Sequence, residues 1–142
     1  MMDKSTGELM EILKSEKKYE VFFSNQVGEL FFGSVSQYLE TMMRNKNLNK
    51  SDVIKRSNLD KNYAYQIFNG TKKNPSRNKM LMIAIGMELN IEETQTLLKM
   101  SELTELYVRM PRDSIIIHCI NMKKNIIETN EILNDYKQEL LE

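Results

Sequence analysis

The sequence predicts an all-α protein, and three observations carry that expectation. Proline stands only at Pro75 and Pro111, and glycine occurs five times in 142 residues, so the residues that break helices are scarce. Apolar residues recur at spacings of three and four through most segments, while strand-like alternation never extends far. Ser, Asn and Asp stand ahead of these segments, where their side chains can accept from the unpaired N–H groups of a first helical turn. At this length the chain can hold one domain with a real core, or a small domain with helical extensions. Its 41% apolar and 28% charged residues are ordinary for a soluble protein, and its 11 methionines supply adaptable packing.

Ser5-Thr6-Gly7-Glu8 reads as a capping box ahead of Leu9, Met10, Ile12 and Leu13, predicting a short amphipathic helix that ends near Ser15. Lys17 to Leu30 places Tyr19, Phe22, Phe23, Val27 and Leu30 on one side of a second helix, where aromatic residues read as core. Phe31-Phe32-Gly33 interrupts the pattern, so residues 1–33 are assigned to an N-terminal helical extension. Ser34-Val35-Ser36-Gln37 is a second capping box, opening a helix with Tyr38, Leu39, Met42 and Met43 that runs to about Asn45. Asn49 caps the next helix, which holds Val53 and Ile54. In Ser57-Asn58-Leu59-Asp60, Asn58 enters the left-handed conformation at low steric cost and Asp60 caps a helix from Lys61 to Phe68, stopped by Asn69-Gly70.

Ser76 caps a helix with Met80, Leu81, Ile83, Ala84, Met87 and Leu89 on a broad apolar side, and Pro75 keeps any earlier helix from running into it. Asn90-Ile91-Glu92-Glu93 opens a fifth helix with acidic residues where they complement the dipole. These five helices form a bundle over residues 34–101. Residues 102–142 read as a helical hairpin, Arg112 to Asn121 and Ile126 to about Leu140, divided by Met122-Lys123-Lys124-Asn125. The isoleucines at 115, 116, 117 and 120 would also suit a buried strand; Pro111-Arg112-Asp113, a helix start with proline in its first turn, decides for helix. The hairpin's apolar faces exceed what it can bury alone, so it is expected to pack on the bundle or on a second chain.

Charge is unevenly spread. The chain has 20 basic and 20 acidic residues, yet residues 44–79 hold Arg44, Lys46, Lys50, Lys55, Arg56, Lys61, Lys72, Lys73, Arg77 and Lys79 against Asp52 and Asp60, ten against two, a net of +8. A local field of that sign suits nucleic acid whatever the total. Cys119 is the single cysteine, which excludes an internal disulfide framework and a cysteine-rich zinc site. No apolar run approaches the roughly 20 residues of a membrane span, and the N-terminus lacks the long apolar core of a secretory signal, so a cytoplasmic location is expected.

The segment from about Val35 to Met100 resembles the lambda-repressor-like, or XRE-type, family of helix-turn-helix regulators. The resemblance rests on Asn49-Lys50-Ser51-Asp52-Val53 at the start of the second bundle helix, Ile67 in the third, Gly70 after it and Asn74-Pro75-Ser76 in the following loop. The family usually has a small residue where Ile54 stands and a bulky one where Ala64 stands. The sizes are exchanged here, and a volume-conserving swap across one contact keeps the fold. The resemblance implies a lambda-repressor-like five-helix bundle that binds double-stranded DNA as a transcriptional regulator. Its third helix would enter the major groove with Lys61, Asn62, Tyr63, Tyr65, Gln66 and Asn69 facing the bases. Lys50, Lys72, Lys73 and Arg77 would hold phosphates. A homodimer reading a pseudo-palindrome is expected, joined through the acidic C-terminal hairpin.

Catalysis is not expected. His118 and Cys119 are neighbours about 100° apart on a helix and form no nucleophile–base pair, and neither a phosphate-binding glycine loop nor a metal motif is present, so no cofactor is assigned. The alternative reading is a non-catalytic protein-binding adaptor or inhibitor on an XRE-like fold, because Met-rich, aromatic flanks and a Tyr-heavy helix also suit a protein partner.

Overall fold

Helix starts follow the capping residues. A computed structural model describes residues 4–27, 30 and 33–142, and among these there are nine helices and no strand. They are α1 (Thr6–Ser15), α2 (Tyr19–Gln26), α3 (Val35–Asn45), α4 (Lys50–Ser57), α5 (Lys61–Phe68), α6 (Arg77–Gly86), α7 (Ile91–Met100), α8 (Pro111–Asn121) and α9 (Ile126–Asp135). Ser5, Asn90 and Asn125 each form a complete box with the glutamate three residues on. Asn49, Asp60 and Ser76 accept from the N–H groups of Asp52, Tyr63 and Lys79 at 3.0–3.3 Å. Ser34 accepts from Gln37 N at 3.2 Å, a one-sided cap in place of the expected box.

Three boundaries differ from expectation. Helix α2 is shorter than Lys17 to Leu30, and the expected break at Phe31-Phe32 lies outside the described residues. Helix α6 ends at Gly86, leaving the buried Met87 and Leu89 in the turn that follows. Helix α9 ends at Asp135, five residues before Leu140. Lys137 takes a left-handed φ of 57°, Gln138 N donates to Leu133 O at 2.8 Å, and the chain doubles back as a strap. Arg112 holds that strap by donating to Glu139 O, and Asn130 pairs with both backbone groups of Leu141, which is buried. These polar clamps give the segment more partners than a frayed last turn would.

One core runs from Phe23 to Leu141, so the C-terminal hairpin shares its interior with α3–α7. Its centre is α6, where residues 80 to 87 are all buried. Ile54 and Ala64 are both buried. A close helix approach lies between α4 and α6. A methyl built on Gly86 would lie 2.9 Å from Ser57 N and from Val53 O, and nearer still to Ser57 Oγ. Arg56 Nε donates to Gly86 O at 2.9 Å and pins the same crossing. Tyr38 of α3 donates to Glu93 O of α7 at 2.9 Å, and Lys46 reaches the buried Glu93 carboxylate at 3.0 Å. Burial, with the Glu93 charge near it, pushes the Tyr38 phenol far above its usual range against the opposing effect of Thr96, so it stays a donor.

The hairpins α6–α7 and α8–α9 repeat one another at a separation of 35 residues. Arg77 donates to Thr104 O and Glu105 O, and Arg112 to Glu139 O and Leu140 O. Gln95 pairs with both backbone groups of Leu106, as Asn130 does with Leu141. Thr94 and Thr129 each return a hydroxyl to the cap residue four positions back at 2.8 Å. Left-handed residues recur in step, at Glu88 and Lys123 and again at Glu102 and Lys137. Contacts between the hairpins are reciprocal: Arg77 donates to Asp113, and Arg112 to Asn78, the matching position. Reciprocity of this kind marks a local two-fold relation.

Gly86→Ala is expected to lower stability by about 1–3 kcal/mol, because overpacking against Ser57 outweighs a helix-propensity gain of about 1 kcal/mol. Ala64→Ile should lower it by about as much for the same reason. Urea unfolding monitored by circular dichroism measures both, and an unchanged midpoint for either would contradict the packing described at that position.

Candidate nucleic-acid interface

Helix α5 divides cleanly. Ala64, Ile67 and Phe68 are buried, while Lys61, Asn62, Gln66 and Asn69 are exposed and Tyr65 is 36% exposed. The Asp60 cap fixes where the helix starts, and Ser36 Oγ fixes its end by donating to Phe68 O at 2.7 Å. Polar side chains on the outward face are therefore carried by a rigid element.

The loop after α5 folds back on it. Thr71 N and Lys72 N both donate to Gln66 O at 3.0 Å, and Gly70 takes a φ of 82°, which its missing side chain permits. Asn69 Oδ1 accepts from the N–H and hydroxyl of Thr71, which commits that oxygen to the loop and leaves the side chain less to offer a base than its exposure suggests. The fold sets Lys72 Nζ 5.0 Å from the centre of the Tyr63 ring and Lys79 Nζ 5.8 Å from it. Tyr63 is half-buried and acts as a platform for two ammonium groups. Lys79 was absent from the sequence-predicted set. The signal available for it was its place three residues after the Ser76 cap, in the first turn of α6. Lys72 and the exposed Lys73 also line a cleft of about 510 Å³ that reaches Ser34 and Ser36 at the start of α3. Amide groups at a helix start complement an anion, as do the two lysines.

The other predicted phosphate ligands, Arg77 and Lys50, have partners within the chain. Arg77 is held by a two-pronged pair with Asp113 at 3.0 and 2.9 Å and by the carbonyls of Thr104 and Glu105, so its guanidinium is an internal clamp instead of a surface group. Lys50 pairs with Glu40 at 2.7 Å and stands over the Phe68 ring at 5.5 Å. With Lys46 on Glu93, three of the ten basic residues between 44 and 79 are answered by carboxylates from outside that stretch. Lys61, Lys72, Lys73 and Lys79, on α5, on the loop after it and in the first turn of α6, stand outside these three pairs.

Among the described residues no three His, Cys, Asp or Glu side chains are placed to hold a metal ion. Cys119 is buried, and burial pushes its thiol upward, while His118 on the same helix is exposed. Among the described residues no helix is long and apolar enough to cross a membrane. No family model, curated protein or solved structure matches the chain.

Burial raises the Asp113 carboxyl, the largest single influence, but hydrogen bonds from Arg77 and Tyr107 N and the charges of Arg77 and Arg112 outweigh it and hold the group below its usual range. Folding then favours the ionised form. Its contribution is complete above the unfolded value of about 3.9 and disappears as pH falls through the lower folded value. Asp113→Asn is accordingly expected to flatten the acid limb of stability against pH below about 4. Arg77→Ala, which strands a buried carboxylate, should lower stability near neutrality by about 3 kcal/mol. Denaturant titrations across the acid range measure both effects, and an Asp113→Asn profile identical to that of the parent would refute this role.

Proposed function

We propose that the protein is a lambda-repressor-like, sequence-specific regulator of transcription that binds double-stranded DNA with α5 in the major groove. It acts as a cytoplasmic homodimer on a pseudo-palindromic site. The observation that carries this reading is the composition of one surface. Lys61, Asn62, Tyr65 and Gln66 stand exposed on α5, and the Lys72–Tyr63–Lys79 cluster adjoins them. Gln66 and Asn62 have the amide geometry to pair with adenine, Lys61 reaches guanine acceptors, and Tyr65 contacts a thymine methyl group or a phosphate. Lys72, Lys73 and Lys79 anchor the backbone on the same side. Arg77 and Lys50 have structural partners and leave the proposed contact set.

The adaptor reading is favoured by one observation: carboxylates of the chain itself neutralise three of the ten basic residues, which lowers the charge left for phosphates. Salt dependence separates the two, because phosphate contacts release counterions and a protein partner does not.

Gln66→Ala is expected to change the preferred sequence selected from a random duplex pool. Lys72→Ala should weaken all duplexes alike and reduce the salt slope by about one. Fluorescence anisotropy with labelled duplex measures the second effect. Failure to retain any duplex at about 50 mM salt would sink DNA binding, and equal loss on every sequence for Gln66→Ala would sink its base-reading role.

A further inference from the structure

Two of the lysines around α5 are placed differently from the others. Lys72 and Lys79 are half-buried, whereas Lys61 and Lys73 are exposed. Their ammonium groups come from the loop and from α6, yet they stand 5.0 and 5.8 Å from the centre of one ring, that of Tyr63. Backbone bonds set both approaches. Lys72 N donates to Gln66 O at 3.0 Å, and Lys79 N donates to Ser76 Oγ at 3.3 Å. The ring is packed against the core, and Tyr63 N donates to the Asp60 carboxylate at 3.0 Å. All three side chains are therefore carried by fixed backbone.

A second cation in the same stretch shows what this arrangement lacks. Lys50 also stands over a ring, that of Phe68, but Glu40 answers its charge at 2.7 Å. Among the described residues no carboxylate pairs with Lys72 or Lys79. A carboxylate fixes an ammonium group and cancels its charge, whereas an aromatic face attracts it through a quadrupole and leaves the charge whole. Two whole positive charges drawn to one ring repel each other, and an anion relieves that repulsion. Lysine needs no fixed geometry to bind a phosphate, but ordering its flexible stem costs entropy on binding. A stem already resting on a ring has lost that freedom in advance.

We infer, on the premise of the DNA binding proposed above, that Tyr63 is a positioning residue: it holds Lys72 and Lys79 as one phosphate-binding unit and reads no base. Tyr63→Leu keeps an apolar side chain against the core and removes the ring. It should weaken every duplex alike, by about threefold to tenfold, with the selected sequence and the slope against salt unchanged because both charges remain. Tyr63→Phe keeps the ring and should bind as the parent does. In chains that already carry Lys72→Ala and Lys79→Ala, Tyr63→Leu should cost nothing further, since the ring acts only through the two lysines. Anisotropy with labelled duplex reads all of these, and the unfolding midpoint verifies that each variant folds. Proton NMR of the free protein tests the positioning without DNA. The ε-methylene signals of Lys72 and Lys79 should lie upfield through the ring current of Tyr63 and return to ordinary positions in Tyr63→Leu. A changed sequence preference in Tyr63→Leu, a Tyr63→Phe as weak as Tyr63→Leu, a full loss on adding Tyr63→Leu to the doubly substituted chain, or ordinary ε-methylene positions in the parent would each overturn the assignment. A parent that binds beside an equally tight Tyr63→Leu overturns the positioning role alone, whereas a parent that binds no duplex overturns the phosphate unit and the proposed function together.

Discussion

Helix α6 is the constraint on which the rest depends. From Met80 to Met87 it has no polar side chain and must be surrounded, since an apolar helix with no wet face is stable only at a centre. Helices α4, α7 and α9 all lie against it, and the glycine at its end allows α4 to come within backbone contact. Because α4 is fixed there and α5 follows after the three residues Asn58 to Asp60, the outward face of α5 inherits its position from the core. The surface proposed to read DNA is as rigid as that crossing.

Much of the fold was legible because helix starts are written in local chemistry. Asn49, Asp60, Ser76 and Asn90 each needed only a side-chain oxygen and a following apolar run to be recognised, and each caps a helix. Helix ends were harder. The stop of α9 depends on Arg112 and Asn130 reaching a strap formed afterwards, and no local residue announces that. The 35-residue repetition was likewise hidden, because the hairpins share a hydrogen-bond scheme more than they share residues. Gln95 and Asn130 do one job with side chains of different length.

At the candidate interface the outward face of α5 could be read from helical spacing alone. The fate of the cations could not, because their partners Glu40, Glu93 and Asp113 lie outside the basic stretch. Arginine forms two-pronged contacts that an ammonium cannot, and Arg77 uses them to bind one hairpin to the next. Lysines on the loop carry point charges that need no fixed geometry, which suits a phosphate backbone. The same stretch of sequence therefore holds two populations of cations, one structural and one facing outward, and only the three-dimensional arrangement separates them.

The left-handed turns have a consequence for how this chain could be hardened. Asn47, Asn58 and Asn74 occupy that region comfortably, but Glu88, Glu102, Lys123 and Lys137 are held there with long side chains, at roughly 1 kcal/mol each. Natural stabilities are only about 5–15 kcal/mol, so four such positions form a sizeable reservoir of strain. Glycine at each would release more than its added chain entropy removes, a route to a thermostable variant that leaves the core and the surface of α5 untouched.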